Sequence, residues 1–240
     1  MELTRTGIPG LDDILNGGLV RNSTTLVSGN PGAGKSIFGL QYVYNGVEQF
    51  DEDGIFLTFE ENAADIAEAA ESIGLTDWRA HVEADRIKVY DKSVLLRKND
   101  FNASLDILLD DLDDDRYERL VLDSLTMFQL FFEDEREERT YLLKFTDILR
   151  ENGLTTLLTN EQGTVFPETE IGLENFLTDG NIYLIQTPTD SGVNRYVWVA
   201  KMRKQNVDTD IFPMEIGEGG ITVHQNASAF SMISDQDTPL

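Results

Sequence analysis

The stretch Gly29-Asn30-Pro31-Gly32-Ala33-Gly34-Lys35-Ser36 constrains this chain more than any other, because it fits G-x-x-x-x-G-K-[ST] at every fixed position. It follows Thr24-Thr25-Leu26-Val27-Ser28, whose β-branched and apolar residues read as a strand. It opens a segment that reads as a helix from about Ser36 to Glu48. Between a strand and a helix, glycines let the backbone curl so that successive N–H groups converge on phosphate oxygens. The positive end of the helix adds to that field. Lys35 would reach the β- and γ-phosphates of a nucleoside triphosphate, and Ser36 would give its hydroxyl oxygen to Mg²⁺. Together with Ile37, these residues form the candidate nucleotide-binding set. A chance glycine-rich turn lacks both the full pattern and the flanking strand and helix.

The rest of the chain alternates short apolar runs with longer amphipathic stretches, the pattern of a parallel sheet covered by helices. Asp51-Glu52-Asp53-Gly54 turns into Ile55-Phe56-Leu57-Thr58-Phe59, the near-continuous apolar run of a strand buried on both faces. A helix is predicted from about Asn62 to Ile73, with Gly74 where a glycine would end it. Ile87 to Tyr90 reads as a strand, and Asn102 as the cap of a helix through Leu105, Leu108, Leu109 and Leu112. Arg119-Leu120-Val121-Leu122-Asp123 reads as a strand that ends in a carboxylate. Glu135 to Glu151 is a long helix with Tyr141, Leu142, Phe145, Ile148 and Leu149 on one face, stopped by Gly153, and Thr155 to Thr159 is a strand. From Asn181 onward the runs 182–185, 195–200, 210–216 and 221–224 are separated by turn residues without an intervening helix, which predicts antiparallel strands extending the parallel core. The expected fold is therefore α/β, three αβα layers on a mainly parallel sheet. Residues 1–225 form one domain and the polar stretch 226–240 a flexible C-terminal tail.

Three further carboxylates are candidates for chemistry. Asp123, at the end of an apolar strand beside the phosphate loop, would orient Mg²⁺ and its water. The alternative is an aspartate capping the next helix. Ser124 either hydrogen-bonds the γ-phosphate or caps the same helix. Glu60 and Glu61 follow the strand 55–59, where hydrolysis needs a base or orienter for the attacking water. Consecutive strand residues point opposite ways, so both face the water only if the strand breaks there. The alternative is an acidic lead-in that favours the macrodipole of the following helix.

Composition closes other doors. The chain has 44 acidic and 19 basic residues, a net charge of −25, which disfavours partners bound through phosphate neutralisation such as duplex DNA or an anionic membrane. The carboxylates are dispersed, and a dispersed acidic coat is the usual solution for a protein in concentrated salt, so a halophile's cytoplasm is expected; an acidic interaction surface is the competing explanation. With no cysteine, disulfides, thiolate nucleophiles and thiolate metal sites are excluded. His81 and His224 lack ligand-like neighbours and read as ordinary surface or core residues. The N-terminus lacks the apolar run of a leader, and no segment approaches the roughly 18 apolar residues of a bilayer span. The sequons at Asn22, Asn102 and Asn226 are therefore read as incidental.

Several segments, in order along the chain, resemble the KaiC family of RecA-like P-loop ATPases. Thr6-Gly7-Ile8-Pro9-Gly10-Leu11-Asp12 and Gly17-Gly18-Leu19 resemble its opening signature, and Gly54 to Glu61 the strand carrying its paired catalytic glutamates. Leu122-Asp123-Ser124-Leu125-Thr126 resembles its Walker B segment, Gly172 to Asp179 the stretch before its antiparallel strands, and Lys201-Met202-Arg203 its basic finger. The resemblance implies a RecA-like fold and an ATPase acting as a ring, usually a homohexamer, with ATP rather than GTP at subunit interfaces. It makes Glu60 and Glu61 the water-activating pair and sends Lys201 and Arg203 into the neighbouring subunit's nucleotide. Cations delivered in this way stabilise charge in phosphoryl transfer. A surface strand balancing nearby acids is the plain alternative for the two cations. The resemblance also implies a regulatory protein partner that the sequence does not identify. The chain departs from the family at Lys204, where glycine is common, and at Val207, where histidine is, which bears on nucleotide contacts and on rate. The hydroxyl pair that the family's clock member autophosphorylates falls near Asn175 and Phe176, neither of which accepts phosphate. A hydrolytic rather than autokinase domain is expected. The competing functions are a nucleotide-gated scaffold with negligible turnover and a DNA-dependent recombinase, for which the basic, aromatic-bearing surface is missing.

Overall fold

The computed structural model describes residues 1–91, 116–129, 132, 134–163, 172–189 and 192–227. The helix expected from Asn102 and the tail beyond residue 227 lie outside the described residues.

The chain opens with β1 (Leu3–Thr4), α1 (Leu11–Ile14) and β2 (Leu19–Val20), then enters the sheet at β3 (Thr24–Gly29). α2 (Lys35–Asn45) follows, widening into a π-helical turn over Gly46–Phe50, and leads to β4 (Asp53–Thr58). Next come α3 (Ala63–Ser72), α4 (Trp78–Glu83), β5 (Ile87–Tyr90), β6 (Tyr117–Asp123), α5 (Leu125–Gln129) and α6 (Glu135–Glu151). The chain closes with β7 (Thr155–Glu161), α7 (Leu173–Leu177), β8 (Gly180–Thr189), β9 (Gly192–Met202), β10 (Ile211–Gly217) and β11 (Gly220–Val223). Nine strands form one sheet in the order β11-β10-β9-β8-β3-β7-β6-β4-β5.

Strand periodicity builds the three layers. Along β3, β4 and β6, neighbouring apolar residues point to opposite faces. Val27, Phe56 and Val121 join a core with Phe38 and Tyr42 of α2 and Trp78 of α4. Leu26, Ile55, Leu57, Leu120 and Leu122 join a second core with Leu142, Phe145 and Leu149 of α6. That second set is the apolar face read from the long helix. α3 begins where Asn62 accepts from the Ala64 and Asp65 N–H groups at 3.0 Å each, and ends with Gly74 at φ 91°, as its boundary signals predict.

Two expectations need adjustment. The helix after the phosphate loop ends at Asn45 rather than continuing to Glu48 as an α-helix. There Gly46 lies against Arg119, and a Cβ on it would sit 2.6 Å from the arginine Cδ. The first of the four C-terminal strands is also parallel rather than antiparallel. β8, which holds Ile182 to Ile185, runs alongside β3 with Thr25 opposite Gly180 and Gly29 opposite Leu184. The connection from β7 to β8 passes through α7 and crosses over, which returns the chain in the parallel sense. Antiparallel pairing starts one strand later, at β8 with β9, and continues through β10 and β11.

Candidate functional site

The C-terminal ends of β3, β4, β6 and β7 meet at one edge of the sheet. Register makes the meeting specific: Gly29 lies opposite Glu161, and Thr58 opposite Asp123. In a parallel α/β sheet this edge is where ligands bind, because the loops and helix N-termini open there.

The phosphate loop spans β3 and α2. Gly32 and Gly34 have φ of 79° and 104°, values that L side chains avoid, and Gly34 is the N-cap of α2. Gly29 packs so closely against β8 that a Cβ would sit 2.6 Å from the Leu184 carbonyl oxygen. Asn30 Nδ2 donates to the Gln162 carbonyl at 3.0 Å and Gln162 N–H to the Gly29 carbonyl at 3.1 Å, tying the loop to the end of β7. Pro31 is exposed, Ala33 buried, and Ile37 half-buried against the core. The loop is thus pinned from beneath while its outer face stays open.

Lys35 is buried, and its ammonium donates to the carbonyls of Gly29 at 2.9 Å and Asn30 at 3.2 Å. Burial pushes its pKa down, opposed by Glu161, Asp123 and Glu60. Asp123 is also buried and accepts from the hydroxyls of Thr159 and Ser36. Burial raises its pKa and the Glu60 charge adds to the rise, against those two hydrogen bonds and Lys35. Ser36 itself is exposed.

The strand breaks where the paired glutamates require it. β4 ends at Thr58, whose hydroxyl accepts from the N–H groups of Glu60 at 3.2 Å and Glu61 at 3.5 Å. Strand alternation therefore stops before either glutamate, and both are exposed at the site edge. Ser124 is buried, and its hydroxyl donates to Glu60 Oε1 at 2.7 Å. Neither role read from sequence for Ser124 includes this contact.

Sequence reasoning misses Glu161. It ends β7 opposite Gly29, faces the Lys35 charge, and donates its N–H to the Thr126 hydroxyl at 3.0 Å. The polar run Asn160-Glu161-Gln162 after an apolar strand is the available signal. Asn160 continues the network, accepting from Thr126 and donating to Glu174 Oε1, each at 3.0 Å.

Lys201 and Arg203 do not join this cluster. β9 runs antiparallel to β8, so Met202 lies opposite Gly180, at the end of the sheet where β3 begins. Asp179 N–H donates to the Thr24 carbonyl and Arg203 N–H to the Asp179 carbonyl, each at 2.8 Å. The Lys201 ammonium donates to the carbonyls of Asn175 at 2.8 Å and Thr178 at 2.7 Å, and Arg203 Nη2 to the Phe176 carbonyl at 2.8 Å. Burial lowers the Lys201 pKa, and Arg203 lowers it further. Both cations stand at the opposite end of β3 from the phosphate loop of their own chain. Among the described residues no helix is long and apolar enough to cross a membrane.

The family described as ATPase: KaiC matches residues 4–228. A circadian clock oscillator protein KaiC of Prochlorococcus marinus is 33% identical over 225 residues, which cover 91% of this chain and 45% of that protein. The protein of the same description from Synechococcus elongatus is 30% identical over 226 residues, 91% of this chain and 43% of that protein. The chain thus spans less than half the length of these curated relatives. Among solved structures, the KaiC-like protein of the archaeon Pyrococcus horikoshii superposes with a TM-score of 0.81 at 33% identity, over 93% of this chain and 99% of that one.

Proposed function

Because the chain belongs to the KaiC family of ATPases, we propose that it binds Mg-ATP on Gly29–Ile37 and hydrolyses it slowly, as one subunit of a cytoplasmic ring without an autokinase cycle. The observation that carries this reading is the Ser124–Glu60 hydrogen bond of 2.7 Å, which holds a carboxylate at the strand end next to the phosphate loop. A carboxylate fixed there orients the attacking water, with Glu61 beside it. Lys35 and the loop N–H groups stabilise the charge that develops on the phosphates.

The residues fit a magnesium ion held jointly with the phosphates. Asp123 is a buried acid whose charge is disfavoured without a cation, and it is hydrogen-bonded to Ser36, the other expected ligand. Among the described residues no group of three or more His, Cys, Asp or Glu side chains is placed to hold a metal, so phosphate oxygens and water would complete the shell. When bound, Mg²⁺ would neutralise charge on the transferring phosphoryl group.

The far-end position of Lys201 and Arg203 supports a ring, because the two cations would serve the nucleotide of an adjacent copy. The lack of a hydroxyl at Asn175 and Phe176 supports hydrolysis without autophosphorylation. The net charge of −25 supports a cytoplasm rich in salt. A regulatory protein would read the nucleotide state of the ring.

The test is phosphate release from Mg-ATP in concentrated potassium chloride, comparing the native chain with the Glu60→Gln/Glu61→Gln double variant. Turnover that disappears in the variant is expected. ATP binding without turnover in the native chain would make it a nucleotide-gated scaffold, and stimulation by single-stranded DNA would favour a recombinase. Equal solubility and activity with and without salt would remove the halophile reading.

A further inference from the structure

Glu60 and Glu61 stand on a short bridge, Phe59-Glu60-Glu61-Asn62, between the end of β4 and the start of α3. The bridge belongs to neither element, so regular ladder and helix hydrogen bonds fix only its ends. Its middle must be held by other groups if two carboxylates are to stay in place. In the sheet β4 lies between β6 and β5, and each of the three strands supplies a group that holds the bridge.

From β4 comes Thr58, fully buried, whose hydroxyl accepts from the Glu60 N–H at 3.2 Å and the Glu61 N–H at 3.5 Å. From the end of β6 come the Asp123 carbonyl, which accepts from the Phe59 N–H at 3.2 Å, and the Ser124 hydroxyl, which donates to Glu60 Oε1. From the end of β5 comes Asp91. Tyr90 lies opposite Leu57, so Asp91 leaves β5 beside the end of β4. Asp91 is buried, and its Oδ2 accepts from the N–H of Ala63, the first residue of α3, at 2.8 Å.

A carboxylate at a helix start stabilises the helix, but α3 already has a cap. Asn62 accepts from the Ala64 and Asp65 N–H groups, a local contact that moves with the helix. The Asp91 contact spans 28 residues and ties the helix start to a different strand. Burying a carboxylate costs free energy even when it is hydrogen-bonded, and here it meets the residue two positions after Glu61. The other holds on the two glutamates are also unequal. The 3.5 Å contact to Thr58 fixes the Glu61 main chain less tightly than the 3.2 Å contact fixes that of Glu60.

We propose that Asp91 is a positioning residue, which holds the glutamate bridge from its far end and thereby places Glu61 for hydrolysis. The proposal rests on the hydrolytic reading above and adds to it a residue that touches neither nucleotide nor water. A small displacement of a group that orients a reacting water lowers the rate of the chemical step while leaving the binding of the substrate alone.

The test measures kcat and KM for Mg-ATP, nucleotide affinity and melting temperature in Asp91→Ala, Asp91→Asn and Asn62→Ala. Asp91→Ala should lower kcat by about 10- to 100-fold, with nucleotide affinity within about twofold of native. Asp91→Asn keeps an oxygen that can accept from Ala63, and should restore kcat to within about threefold of native. Asn62→Ala weakens the same helix start but leaves its tie to β5, so kcat should stay near native. If Asp91→Ala does not fold, Asp91→Ser, one atom shorter at the acceptor, carries the same comparison. The proposal is overturned if Asp91→Ala keeps native kcat, or if Asn62→Ala lowers kcat as much. A native chain without turnover counts against the hydrolytic reading, and amide exchange then decides on Asp91 separately. Faster exchange of the Glu61 N–H in Asp91→Ala, and not in Asp91→Asn, supports its hold on the bridge, whereas unchanged exchange overturns it.

Discussion

Arg119, the third residue of β6, is a charged side chain that solvent does not reach, at 0% exposure. Its Nε and Nη2 donate to Glu52 Oε2 at 2.8 and 2.6 Å, its Nη1 to the Tyr42 carbonyl at 2.9 Å, and its Nη2 also to the Arg5 carbonyl at 2.7 Å. Its guanidinium carbon lies 4.6 Å from the ring centre of Tyr42 and 5.2 Å from that of Phe50. One group thus links the N-terminal segment, α2, the turn before β4 and β6. Replacing it with methionine keeps much of the volume but leaves Glu52 with only the distant Arg21 and strips two carbonyls of a donor. Breaking a buried ion pair from one side costs about 3–5 kcal/mol, so ~4 kcal/mol is expected. An unfolding entropy of about 2.1 cal/mol/K per residue gives roughly 0.5 kcal/mol/K for a chain of this length, and hence a fall in melting temperature of ~8 °C. Arg119→Lys keeps the charge but not the fork, and should lose about half as much. Scanning calorimetry at low and at concentrated potassium chloride is the assay. Because the pair is buried, the loss should persist in salt, whereas exposed pairs are screened. A loss below about 1 kcal/mol for Arg119→Met, or one that vanishes in concentrated salt, would refute the reasoning.

Gly29→Ala forces a Cβ to within 2.6 Å of the Leu184 carbonyl oxygen, so β3 and β8 must part beneath the phosphate loop. ATP affinity should fall at least about tenfold, measured by equilibrium binding. Asn62→Ala removes the side-chain cap of α3 and should cost about 1 kcal/mol, seen as a melting temperature lower by ~2 °C. Asp123 has a pKa raised by burial from 3.8, so the folded chain keeps a proton that the unfolded chain has released. Without metal, stability should therefore decline as pH rises from the unfolded value through the folded one, and Asp123→Asn should flatten that part of a melting-temperature profile.

The phosphate loop, the strand end at Asp123, the end of β4 to within one residue (Phe59 expected, Thr58 observed), and the bounds of α3 and α6 are legible because each is written in adjacent residues. A motif, an apolar run, a cap and a terminating glycine are all local signals. What stays hidden depends on pairing between distant segments. Glu161 enters the site only because β7 lies beside β3 in a register that sets it opposite Gly29. The Ser124–Glu60 hydrogen bond joins residues 64 positions apart, and no pattern around either one announces it. Arg119 reads as the polar first residue of a strand, and its burial follows from three other segments closing over it. The direction of β8 escapes a sequence reading because its run of four apolar residues is equally compatible with parallel and antiparallel neighbours.

That direction has a functional consequence. Because β8 is parallel to β3 and β9 returns antiparallel, the hairpin carries the chain up to the level of the phosphate loop and back down to the start of β3. Lys201 and Arg203 come at the end of the return, held by α7 and Asp179. Had β8 run antiparallel to β3, the end of β9 would have finished at the loop end, beside the nucleotide of the same chain. The observed topology instead separates the acidic and hydroxyl groups of the site from the basic finger by the length of a strand. If the two cations serve phosphoryl transfer, a single chain holds both halves of the site but cannot bring them together. Under the proposed function, association becomes a condition for full turnover, and hydrolysis per chain should rise with protein concentration until the ring is complete.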